Sequence, residues 1–448
     1  MTKFVKPCSF LLLGILFAAL SACRLPQTTQ NSATPATLLA PPSTLLAPSS
    51  TPLAPPSTPS PSFDKMSLWT DGTQLRGANT WQRIVVPDLD GPEFLGSGYV
   101  GPPYTQADFD ELAALGANYV NLSTPGLFTE RPPYTLDEQV QADLDSMIAM
   151  AAQADLFVVI SFRTGPGRSD FTFYRDGAGD WFDADLLIES VWSDPTAQNA
   201  WGEMWRYTAE RYHDNPAVIG YDLMCEPNSN AVVFDMYDPE EFYSQYAGSI
   251  YDWNQFYPRL VARIREVDSQ TPILVSATSW GALRWLPYLQ TIDDLRIVYT
   301  AHQYEPQEGY THQQLPAVNS YPGEFDLDWD GIAEPFDRLW LEDFLSILAD
   351  FQREHNVPVA VNEYGVMRWE PGAADFMYAE MMIFEDLGIN YALWVWNPEW
   401  QPWSKSATEF NFRFGPDPDN TLPVDNDLLG TIASFWARNT VRPSMYHP

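Results

Sequence analysis

From about residue 64 to the C-terminus, short apolar runs rich in β-branched residues alternate with longer stretches whose apolar positions recur every three and four residues. The runs at 74–78, 119–122, 157–162, 218–224, 273–277, 296–301, 357–361 and 391–396 predict strands. The stretches at 106–115, 136–153, 197–212, 256–267, 338–355 and 373–387 predict helices. Alternation of this kind, without a second low-complexity break, suggests an α/β fold, a (β/α)8 TIM barrel with inserted loops, over 64–448. A doubly wound open sheet is the alternative, but no Gly-rich phosphate turn follows the first strand.

The N-terminal pattern is different. Lys3 and Lys6 precede an apolar run at 10–20, which reads as a secretory signal over 1–22. The run is too short for a transmembrane helix, which needs roughly twenty residues. Leu20-Ser21-Ala22-Cys23 resembles a bacterial lipobox, in which cleavage leaves the Cys thiol to be acylated. Residues 25–63 carry no charge and repeat a Leu-Ala-Pro-Pro-Ser-Thr theme, as in 38–44 and 53–58. Such a segment cannot bury a core and favours extended polyproline II. The expectation is an exported lipoprotein at the cell surface or outer membrane, attached through Cys23, with a disordered Pro/Ser/Thr linker over 23–63. With Cys8 removed and Cys23 acylated, Cys225 is left as a free thiol and no disulfide framework is expected.

Composition narrows the partner. The 448 residues hold 24 Lys plus Arg against 59 Asp plus Glu, a formal charge of −35, which repels nucleic acid and anionic lipid. Seventeen Trp, 22 Tyr and 25 Phe exceed what a core needs and suit stacking of flat, uncharged ligands such as sugar rings. A carbohydrate is therefore the expected partner. Nothing in the pattern assigns an oligomeric state.

Reactive groups of a (β/α)8 barrel sit at the C-terminal ends of strands. Two predicted strands end in glutamates, Cys225-Glu226-Pro227-Asn228 after the fourth and Asn362-Glu363-Tyr364-Gly365 after the seventh. A carboxylate pinned between a buried strand and a Pro or Gly can have its pKa tuned by desolvation. Two such carboxyls roughly 5 to 5.5 Å apart are what a retaining glycosidase needs, one protonated and one ionised.

These residues resemble glycoside hydrolase family 5, the cellulase-like family of barrel glycosidases. The likeness covers most of 77–398 and implies that Glu226 is the acid/base and Glu363 the nucleophile. It also matches His302-Gln303-Tyr304 after the sixth strand and Trp394, followed by Asn397-Pro398, on the eighth. By the same likeness Tyr304 supports Glu363, and Trp394 forms a platform under the sugar. Catalysis then needs no cofactor. Three positions depart from the family: Asn121, a candidate substrate contact, replaces an Arg on the second strand, Arg163 replaces a His on the third, and Cys225, also a candidate substrate contact, replaces the Asn before the acid/base. One reading is that Arg163 takes over support of Glu363. Because the family's Asn holds the sugar 2-hydroxyl, Cys225 leaves that task to Asn228 or Asn362, or else the substrate carries an axial, mannose-type hydroxyl. Trp280, Trp285, Trp400, Trp403 and the aromatics of 171–182 are further candidates for the cleft. The substrate implied is β-linked glucan or mannan, with exo action on short β-mannosides or β-glucosides as the alternative. A tethered carbohydrate-binding protein without catalysis is a third reading.

One motif is independent of the family. Asp326, Asp328, Asp330, Glu334 and Asp337, with Gly331 at the sixth position, resemble an EF-hand loop and are candidate ligands of a structural calcium. A solvated acidic run is the alternative. His213, His312, His355 and His447 show no metal-ligand spacing and read as surface histidines.

Overall fold

The computed structural model describes residues 63–328, 330–399 and 408–446. The expected signal, the lipobox and the linker up to residue 62, with Cys8 and Cys23, lie outside these residues, as do Trp400, Trp403 and His447. Eight strands form a closed barrel: β1 (Arg76–Trp81), β2 (Tyr119–Thr124), β3 (Phe157–Phe162), β4 (Val218–Asp222), β5 (Ile273–Ser276), β6 (Ile297–Gln303), β7 (Val359–Tyr364) and β8 (Asn390–Leu393). All neighbours are parallel, and Arg76 of β1 opposite Tyr391 of β8 closes the ring. The barrel is the expected one, and closure removes the open-sheet alternative.

Strands of such a barrel are buried on both faces, so they read as continuous apolar runs. The Phe-Val-Val-Ile-Ser-Phe of β3 is buried at every position. Around the strands lie α1 (Gln106–Ala114), α2 (Glu138–Gln153), α3 (Pro195–Tyr212), α4 (Trp253–Arg265), α5 (Arg338–His355), α6 (Ala373–Leu387) and α7 (Asp427–Trp436), with shorter helical segments in the loops. The first six match the predicted stretches; α7 is an addition. Between β5 and β6 a 3-10 segment, Leu283–Tyr288, stands in place of a helix.

Part of the acidic excess has a structural use. Asp137, Asp194, Asp252 and Asp337 are the N-cap residues of α2, α3, α4 and α5, each accepting from first-turn backbone N–H groups. A carboxylate there satisfies orphan donors and complements the helix dipole. At the N-terminal ends of the strands, the turn Ser67–Thr70 covers the barrel floor, and Trp69 donates Nε1–H to the Ile219 carbonyl at 3.2 Å. The opposite end, where the strands finish, is left for the site.

Candidate active site

Beyond β4 the chain is held by the Cys225 N–H on the Phe162 carbonyl at 3.0 Å, and Glu226 then adopts φ of 57°. In β7 the pairing with β6 shifts register between Val361 and Glu363, a local bulge of the kind that re-aims a side chain. Together these irregularities bring carboxylate oxygens of Glu226 and Glu363 and a ring nitrogen of His302 within 4.8 Å of one another. His302 Nδ1 stands 2.9 Å from Glu226 Oε1 and 3.3 Å from Glu363 Oε2. Tyr304 donates its hydroxyl to Glu363 Oε2 at 3.1 Å, and Cys225 donates its thiol to Oε1 at 3.5 Å.

The charges are mutually dependent. Burial pushes the Glu363 carboxyl above its ordinary range and nearby Glu226 adds to the rise, whereas His302, Arg163 and the Tyr304 hydroxyl favour its ionised form. Burial opposes a charge on His302, yet Glu363 and Glu226 overcome it and raise the imidazole to about 9. Near neutral pH the imidazole of His302 therefore holds a proton within reach of both carboxyls. Burial also lifts Cys225 well above the ordinary thiol, with Glu363 and Glu226 adding to it, so the sulfur stays protonated and can donate.

The other predicted residues divide. Trp394 directly follows β8, and the Arg163 guanidinium lies 5.6 Å from its ring. Arg163 reaches Glu363 only through its field: its Nε pairs with Asp170 Oδ1 at 2.8 Å and its Nη1 donates to Cys225 Sγ at 3.7 Å. Asn228, two residues beyond Glu226, is wholly buried, with Oδ1 accepting from Trp192 at 3.3 Å and Nδ2 unpartnered. Asn121 and Asn362 belong to a polar layer inside the barrel, which corrects their expected place against substrate. Asn121 donates to Asn79 at 2.6 Å, and Asn362 donates to Asp222 at 3.0 Å, so both amide nitrogens are engaged inside the barrel.

Among the loop aromatics, Phe171 and Phe182 pack on each other and are buried, whereas Tyr174 and Trp181 form an exposed edge-to-face pair. Trp280 is half-buried, and its ring lies parallel to that of exposed Tyr237 at 6.2 Å. Trp285 is core: it is buried against Phe242 and Tyr243.

Two residues that the sequence does not mark as functional join the site. Arg168 is fully buried and donates to the carbonyls of Cys225 and Glu226. His312 is not a surface residue: its ring packs between Tyr304 and Phe410, and burial lowers its pKa to about 4, so it is neutral.

The acidic run lies away from these groups, at the tip of a hairpin of Gly323–Phe325 and Glu334–Phe336. Asp326, Asp328, Asp330 and Glu334 bring oxygens within 4.8 Å of one another and could hold a hard cation. Asp337 is outside that group, because its carboxylate caps α5 by accepting from Leu339 and Trp340.

A family model for cellulase, glycosyl hydrolase family 5, matches residues 69–399. The chain belongs to glycosyl hydrolase family 5. This family 5 chain is 24% identical over 235 residues to endoglucanase C of Acetivibrio thermocellus, covering 50% of the chain and 59% of that protein. It is 21% identical over 326 residues to a beta-xylosidase of Phanerodontia chrysosporium, covering 68% of the chain and 62% of that protein. Solved structures share the fold: Thermotoga maritima Cel5A in complex with cellobiose aligns at TM-score 0.56 and 18% identity, covering 83% of this chain and all of that one. The same enzyme with mannotriose aligns at 0.53 and 17%, covering 80% and 97%.

Proposed function

We propose that this family 5 enzyme hydrolyses β-linked glucan or mannan by double displacement, with Glu363 as nucleophile and Glu226 as acid/base. The observation that carries the reading is the approach of the two carboxylates to within 4.8 Å around His302. Inverting enzymes hold their carboxyls about 6.5 to 9.5 Å apart to admit a water between acid and base, so oxygens within 4.8 Å of one another favour the retaining arrangement.

A proton passed from His302 Nδ1 to Glu226, 2.9 Å away, gives a protonated acid beside an ionised nucleophile. Glu363 attacks the anomeric carbon, the bond to the leaving oxygen breaks, and that oxygen takes the proton from Glu226. Esterified Glu363 no longer carries charge. Glu226, now ionised, takes a proton from water as the water attacks the anomeric carbon and displaces Glu363. Tyr304 and Cys225 hold the two oxygens of the nucleophile, and Trp394 supplies an apolar face to the sugar.

The choice of glucan or mannan is supported by the names of similar proteins, an endoglucanase and a relative of known structure bound to cellobiose and to mannotriose. Exposed Tyr174, Trp181 and Tyr237 offer stacking surfaces beyond the cleavage point, which favours a chain of several sugars over a monosaccharide. Product sizes from glucan, mannan and β-mannosyl oligosaccharides test this. A ladder of oligosaccharides supports endo action, and release of single sugars alone overturns it in favour of the exo reading. Export and attachment through Cys23 are proposed with this function, on the strength of the basic, apolar and lipobox order; loss of acylation in Cys23→Ala tests it.

A further inference from the structure

Glu226 has a left-handed backbone, φ 57°, which a residue with a side chain adopts at a cost and keeps only where its surroundings hold it. Its neighbours show what holds it. The Cys225 N–H is tied to β3 through the Phe162 carbonyl, and the Pro227 carbonyl accepts from the Trp280 N–H at 3.1 Å. Between these anchors, the Cys225 and Glu226 carbonyls both point at one guanidinium: Arg168 donates through Nη1 at 2.7 Å and through Nη2 at 2.8 Å.

Arg168 is itself rigidly presented. It ends a tight turn, Gly165-Pro166-Gly167-Arg168, closed by reciprocal backbone bonds between Gly165 and Arg168 at 2.9 and 3.0 Å. The Pro166 carbonyl accepts from Trp201 Nε1 at 2.8 Å. Gly167 has φ of 74°, and a Cβ there would lie 2.7 Å from the Val191 nitrogen, so the turn is packed to the backbone. The Phe173 ring lies against both arginines, its centroid 3.9 Å from the Arg163 guanidinium carbon and 5.0 Å from that of Arg168. Arg163 has the Asp170 carboxylate as partner. Arg168 instead directs its two terminal nitrogens at main-chain carbonyls, although burial works against its charge and lowers its pKa to about 10.

From this geometry we infer that Arg168 is a positioning residue that fixes the backbone of Glu226, and with it the line along which the proton reaches the leaving oxygen. The inference rests on the reading of Glu226 as acid/base. It predicts a defect chiefly in proton delivery, because Tyr304 and His302 hold Glu363 and its contact with Cys225 is only a weak thiol bond.

The test compares kcat/KM for aryl β-cellobiosides, or β-mannobiosides if the wild type cleaves these faster, with phenol or 2,4-dinitrophenol as leaving group. Dinitrophenolate departs without a proton, whereas phenol needs one. Arg168→Met is expected to lose about 100-fold on the phenyl glycoside, the order of a misplaced catalytic group, and less than about fivefold on the dinitrophenyl one. Arg168→Lys should show the same bias with a smaller loss. If near-UV circular dichroism shows that Arg168→Met does not fold, the comparison of the two glycosides in Arg168→Lys decides. Equal losses on both glycosides, or no loss, overturn the inference. Glu226→Ala is the control: if it lacks the bias, the acid/base reading itself fails, whereas bias in Glu226→Ala alone rejects only the role of Arg168.

Discussion

Cys225 Sγ stands 3.5 Å from Oε1 of Glu363, on the opposite carboxylate oxygen from the one bound by Tyr304. Ser123 Oγ at 3.9 Å and Arg163 Nη1 at 3.7 Å both point to the sulfur, which fixes the direction of the thiol. The family resemblance would turn the position before the acid/base toward the substrate; here it faces Glu363.

A thiol is a weak donor. Cys225→Ala is therefore expected to lower kcat/KM by less than about tenfold, the equivalent of about 1.4 kcal/mol. Cys225→Ser, with a stronger donor, should keep or exceed wild-type turnover. Steady-state kinetics on one aryl glycoside checks both, and a thousandfold loss in Cys225→Ala contradicts the reading.

His302 carries a pH prediction. Its folded pKa of about 9 lies above the ordinary value of 6.5, so its contribution to stability is fully present below about pH 6.5 and is lost as pH rises through 9. Thermal melts of the wild type should fall over that window, and those of His302→Gln should be flatter there. Turnover of His302→Gln should drop about 100-fold, because two close carboxylates lose the cation between them.

Glu380 gives a test outside the site. It is fully buried on α6 with no cationic partner among the described residues, and burial pushes its pKa well above the usual range, with the Gln303 side chain acting the other way. Such a group favours the folded state at low pH and ceases to as pH rises above about 4.5, the unfolded value. Glu380→Gln should raise the melting temperature at pH 8 by several degrees and change it little at pH 4. Calorimetry at the two values checks the difference.

The barrel was legible because buried parallel strands leave continuous apolar runs, as in β3, and because Glu226 and Glu363 end two of them before Pro227 and Tyr364-Gly365. Depth along the barrel axis was not legible. Asn121 and Asn362 look like site residues in sequence, yet their amide nitrogens are engaged inside the barrel, and in β7 a bulge separates the roles of adjacent Asn362 and Glu363. Arg168 was missed for a related reason: its function depends on the turn at Gly165 and on which carbonyls that turn faces. The spacing of the acidic run suggested five ligands, but helix capping claims Asp337, a competing use that ligand spacing alone does not reveal.

The central claim is that Glu363 forms a bond to the sugar while Glu226 handles the proton. Mass spectrometry of the enzyme after brief exposure to an activated 2-deoxy-2-fluoro β-glycoside tests it most directly. The expected result is one added glycosyl group, located by peptide sequencing on Glu363 and absent from Glu363→Ala. A label on another residue, or first-formed products of inverted anomeric configuration with no label on an active enzyme, would contradict it.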